Sequence, residues 1–96
     1  MAELTRPSRA EMVKATERIL GRRWAEMTTT YGDWGRDGLL AVATRHLSWS
    51  LAEVVREVPG LSYAAAQGIR RFWQLTLIRP EMQSFAEALT ARLSKP

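Results

Sequence analysis

One histidine, His46, and no cysteine are all that the 96 residues offer for imidazole or thiolate chemistry. A nucleophilic triad needs a nucleophile, a base and a third group that orients the base, and a zinc site needs three or four ligands. His46 alone supplies neither. Glu53 and Glu57 stand four apart, as a carboxylate pair on one helix face would, but they flank Arg56 and read as a solvated face. Gly32 and Gly35 precede Arg36 and Asp37 rather than the Lys and Ser of a phosphate-binding loop. The expectation is a protein that is not an enzyme and uses no cofactor and no metal.

A second group of residues suits binding rather than reaction. Gln67, Arg70 and Arg71 recur at the spacing that puts them on one outer face of a helix. Such amides and guanidinium groups can bond to base edges and phosphates. With no asparagine in the chain, Gln67, Gln74 and Gln83 are its only side-chain amides. The formal net charge of +4 at pH 7 favours an acidic partner. Most of that excess lies late: residues 61–96 carry five positive against two negative side chains, whereas residues 32–60 carry three against four.

Several short helices must position these groups. Ser8 and Glu11 have the spacing of a capping box, and Met12, Ala15, Ile19 and Leu20 follow at helical period until Gly21. Trp24 and Met27 predict a short second helix that runs into the β-branched Thr28, Thr29 and Thr30. A third helix begins near Arg36, buries Leu39, Leu40, Val42 and Ala43, and ends with Arg45 and His46 at the negative end of its dipole. Leu47, Ser48 and Trp49 break the pattern. Ser50 and Glu53 then repeat the capping-box spacing before Leu51, Val54, Val55 and Val58, and Pro59 and Gly60 stop that helix. Ser62 can cap the next one, whose inner face is Ala65, Ala66, Ile69, Phe72 and Trp73. Pro80 opens a final helix with Met82, Phe85, Ala88, Leu89 and Leu93 inward.

No strand alternation, internal repeat or low-complexity stretch interrupts this series. The predicted class is all-α, with five to six short helices around a central helix-turn-helix. It forms a single helical domain over 1–96: N-terminal helices over 8–35, a central helix plus helix-turn-helix over 36–73, and a C-terminal helix over 80–94. In a helix-turn-helix the second helix, here 62–73, enters the major groove by its first turn. Tyr63, Ala64 and Ala65 would stand at that entry, with Gln67, Arg70 and Arg71 behind them. Small side chains there let the backbone approach and can touch a thymine methyl.

The run GRDGLLAVATRHLSWSLAEVV from Gly35, continued by REVPGLSYAAAQGIRRFW to Trp73, resembles the DNA-binding domain that ends the bacterial chromosomal replication initiator. It is more similar still to the helix-turn-helix domain that follows the catalytic part of REP-associated tyrosine transposases. Both have Trp-repressor-like folds. The likeness spans 19–73 and is densest in Ser50, Leu51 and Glu53 and in Gly60, Leu61, Ser62 and Tyr63. It implies binding of double-stranded DNA, with Ser50 near a phosphate and Ser62, Tyr63, Ala64 and Ala65 at the groove. The family sends an arginine into the minor groove from a basic loop before the central helix; this chain has Thr28 to Trp34 in that stretch and keeps only Arg36 at its end. The initiator's Arg-Asp-His-Thr-Thr readers fall on Leu61, Ser62, Tyr63, Ala64 and Ala65, so its target sequence is not implied. Transposase chemistry is not implied either, because it uses a pair of histidines and a tyrosine nucleophile.

The expected role is that of a stand-alone regulator or a transposase- or initiator-associated module in the bacterial cytoplasm, on the nucleoid. Glu53, Glu57 and Asp37 crowd the first half of the motif, so a homodimer or a partner polypeptide would strengthen a monomer's weak hold on DNA. No run reaches the ~20 apolar residues of a bilayer helix, so no membrane partner is expected. The rival reading is a protein-interaction module of the same fold that has lost DNA affinity and meets its partner through Met82, Phe85 and Leu89. The tryptophans Trp24, Trp34, Trp49 and Trp73 are expected to be core and staple residues.

Overall fold

A computed structural model describes residues 6–30, 33–57 and 65–94, apart from the side chain of Glu57. All secondary structure among them is helical: α1 (Arg9–Leu20), α2 (Trp24–Thr29), α3 (Gly35–His46), α4 (Leu51–Glu57), α5 (Ala65–Thr76) and α6 (Pro80–Leu93). The turn expected at 58–61 and the Ser62 cap lie outside the described residues, as do Tyr63 and Ala64.

The boundaries follow from local chemistry. Ser8 Oγ accepts from the Glu11 N–H at 3.1 Å while the Ser8 N–H donates to Glu11 Oε1 at 2.8 Å, which satisfies two donors that the first turn of α1 leaves open. Gly21 ends α1 with φ +68° and donates to the Glu17 carbonyl at 2.7 Å. Thr28 and Thr29 remain inside α2 despite their branching, because both hydroxyls donate back to the Ala25 carbonyl. Ser48 closes α3 with φ +67°, a left-handed position without a glycine, and brings the Trp49 N–H to the Ala43 carbonyl at 3.2 Å. Ser50 and Glu53 repeat the reciprocal cap on α4, at 2.9 and 3.1 Å. Pro80 occupies the first turn of α6.

Helix α3 is the axle of the fold and packs against all five other helices. One buried face was expected for it. Instead Leu39, Leu40, Ala41, Val42 and Ala43 are all buried, as befits a helix surrounded by others. Gly38 lets two phenyl rings close on its backbone, since a Cβ there would stand 2.8 Å from Phe85 and 3.0 Å from Phe72. Those rings meet edge to face at 6.3 Å, and Trp34 packs on both.

The tryptophans are structural, as expected. Trp49 is buried, and its Nε1–H donates to the Pro7 carbonyl at 3.0 Å. Trp24, Trp34 and Trp73 are half-buried against the core.

Four expectations require correction. Leu51 was placed on the inner face of α4 but is 40% exposed, whereas Val54 is fully buried. In α6, Ala86 rather than Ala88 faces inward, because positions 82, 86, 89 and 93 fall on one side of the helix. Helix α5 runs one turn beyond Trp73, and Thr76 is buried. The apolar surface that the interaction-module reading placed on α6 is absent: Met82, Phe85 and Leu89 are all core residues. Among the described residues the large hydrophobics that do reach solvent are Leu51, Leu77 and Ile78, the last two at 84% and 75% exposure.

Candidate nucleic-acid interface

Helix α5 is amphipathic. Ala65 and Phe72 turn into the core with Thr76, and Gln67, Arg70, Arg71 and Gln74 are exposed on the opposite side. Successive residues turn by about 100°, so these four fall within one outward arc. No acidic residue occurs anywhere in α5. Among the described residues neither Arg70 nor Arg71 enters an ion pair. The arc therefore offers two guanidinium groups and two amides to solvent, as hydrogen-bond donors for phosphates and base edges. Gln74 extends the set assigned from the sequence by one turn.

Close packing of α5 on α3 holds this face outward. At the crossing the backbone of Gly68 rests on Asp37, and a Cβ there would stand 2.7 to 2.9 Å from all three carboxyl-group atoms. Burial against α5 pushes the Asp37 carboxyl above its usual range, and the charges of Arg36 and Arg71 partly offset that rise. The positive charge of Arg71 is thus partly matched within the fold. Among the described residues Arg70, on the far edge of the arc, has no such neighbour.

The remaining sequence-predicted residues divide into three groups. Ser62, Tyr63 and Ala64 lie outside the described residues. Ala65, assigned to a base contact, is 6% exposed and belongs to the core, so it cannot touch a thymine methyl. The helical period that made it part of the inner face is the reason. Arg36 is half-buried at the start of α3, beside Asp37.

Ser50 is exposed, but its N–H already donates to Glu53 and its hydroxyl accepts from the Glu53 N–H. The Glu53 carboxylate also takes the Arg6 guanidinium at 2.7 Å. These bonds from Arg6 and Ser50 hold its carboxyl well below the usual range, at about 2. A negative charge thus occupies the start of α4 where the resemblance implies phosphate, and of the donors on Ser50 itself only the hydroxyl proton remains. Arg6 itself stacks over Trp49 at 3.9 Å.

Two arrangements gave no signal in the sequence. The Arg45 guanidinium lies 4.2 Å over the Trp73 ring, and His46 meets the same indole edge to face at 5.9 Å. Arg45 had been read only as a charge suited to a helix end.

Among the described residues no group of three metal-ligating side chains assembles, and no helix is long and apolar enough to cross a membrane. No protein-family model, no curated protein and no solved structure matches the chain.

Proposed function

We propose that the chain binds double-stranded DNA, with α4 and α5 as the two helices of a Trp-repressor-like helix-turn-helix and α5 in the major groove. The observation that carries this reading is the exposed arc of Gln67, Arg70, Arg71 and Gln74 on a helix without acidic residues. Arg70 and Arg71 would neutralise phosphates, and Gln67 would reach a base edge. The molecule would act on the nucleoid in a bacterial cytoplasm, as a regulator or as a module of a transposase or initiator system. Pairing into a homodimer, or with a second polypeptide, would add the affinity that Asp37 and Glu53 take away.

The test is a salt titration of duplex binding by fluorescence anisotropy. Each phosphate contact contributes about 0.9 to the slope of log K against log salt, so Arg70→Ala with Arg71→Ala should flatten that slope by roughly 1.8. Both side chains are exposed, so the helical circular dichroism should not change. Identical titrations for wild type and variant in low salt refute the proposal. Selection of bound duplexes from a random pool would supply the target sequence.

A further inference from the structure

Beside the DNA-facing arc, the flank of α5 forms one wall of a groove of about 620 Å³ against the end of α3 and the start of α4. Its apolar side chains are Leu51, Ala66, Ile69, Trp73 and Leu77. Sites of this size take a drug-sized molecule or a few side chains of a partner. The groove is open in the described structure, and Leu51 and Leu77 are 40% and 84% exposed along it.

Charge decides what could lie there. Among the described residues the charged side chains lining the groove are Arg45 and Arg70, and no described carboxylate lines it. Arg45 is preorganised, because its guanidinium is stacked at 4.2 Å on the Trp73 indole. Stacking uses the face of the group and leaves its N–H edges free for a bidentate bond to a carboxylate. Among the described residues neither arginine has an acidic partner. A basic segment would be repelled by both, and a nucleic-acid backbone has nothing apolar to set against the leucines.

We propose that this groove docks a short acidic amphipathic helix of another protein, its aliphatic side chains on Leu51, Ile69 and Leu77 and its carboxylates on Arg45 and Arg70. The wall of α5 from Ala66 to Thr76 rises about 15 Å, which matches roughly three turns of a helical ligand, and Leu77 extends it just past the helix end. Anchors three or four residues apart would face the groove, in the mode of a helix laid into an apolar cleft. This goes beyond DNA binding and does not rest on it.

The probe is a random library of displayed peptides of about 16 residues, panned against the whole chain. The enriched peptides should carry Leu, Ile or Phe at helical spacing flanked by Asp or Glu, and should change the intrinsic tryptophan fluorescence on binding, a change lost in Trp73→Phe. Leu51→Glu with Leu77→Glu replaces exposed side chains, so the fold should hold by circular dichroism while binding weakens roughly tenfold or more. Arg45→Glu with Arg70→Glu should turn the preference toward basic peptides. Gln67→Ala with Arg71→Ala, which touches the DNA-facing arc but not the groove, should leave peptide affinity unchanged. No enrichment, enrichment of basic or uncharged peptides, or binding indifferent to the Leu51 and Leu77 changes overturns the proposal. Self-association lost on those same two changes would also overturn it, by assigning the groove to a second copy of the chain.

Discussion

Gly68 is the position where α5 is held closest to α3, and Gly68→Ala tests that closeness. Alanine in place of glycine inside a helix ordinarily gains about 0.8–1.0 kcal/mol. Here the new Cβ would meet Oδ1, Cγ and Oδ2 of Asp37 at 2.7, 2.8 and 2.9 Å, distances that real Cβ contacts essentially never reach. Forcing such a group into a packed contact costs about 1–3 kcal/mol. The net effect in the wild-type background is a loss of about 0–2 kcal/mol. In an Asp37→Ala background the obstacle is gone, and the same substitution should stabilise by about 1 kcal/mol. The two effects differ by about 1–3 kcal/mol, well outside the ~0.5 kcal/mol within which independent sites add.

Urea unfolding of the four proteins of this cycle, followed by circular dichroism at 222 nm, measures the coupling. Thermal melts should agree, at roughly 4–8 °C per kcal/mol for a domain of this size. If Gly68→Ala stabilises equally in both backgrounds, Asp37 swings aside at no cost, and the close approach does not hold α5 in place.

Two further outcomes follow from the caps. Ser48 occupies the left-handed region at φ +67°, so Ser48→Gly should relieve that strain and raise stability by about 0.5–1 kcal/mol; a lowered melting temperature refutes it. Glu53 is held at about 2 by Arg6 and Ser50, below its ordinary 4.5, so its contribution is complete above pH 4.5 and is lost as pH falls toward 2. The stability gap between wild type and Glu53→Gln should therefore be widest near neutral pH and close in acid, and a gap independent of pH in urea titrations contradicts the Arg6–Glu53 clasp.

Local chemistry made much of the fold legible. The capping boxes at Ser8 and Ser50, Gly21 and Pro80 mark boundaries through bonds that span a few residues, and these fell where the pattern put them. The inner stripe of α5 was equally readable from its period, and that period should have kept Ala65 out of the proposed interface. What could not be read are contacts joined only by folding. The Trp49 indole reaches Pro7 across 42 positions, and neither partner signals the other in the sequence. Arg45 over Trp73 and Asp37 against Gly68 are of the same kind, and they decide which cations on α5 are free. Leu51 misled because helical period tells which side of α4 it occupies, not whether a neighbour is long enough to cover it.

Every other described helix packs on α3, so the fold offers no natural line of division. A break in the chain on either side of α3 would strand apolar surface around its whole circumference, on Leu39, Leu40 and Val42. Truncated translation products would be protease substrates rather than half-working modules. Substitutions on the exposed outer arc of α5 should therefore cost the fold little, and those along the axle, where each residue answers to several neighbours at once, should cost it more.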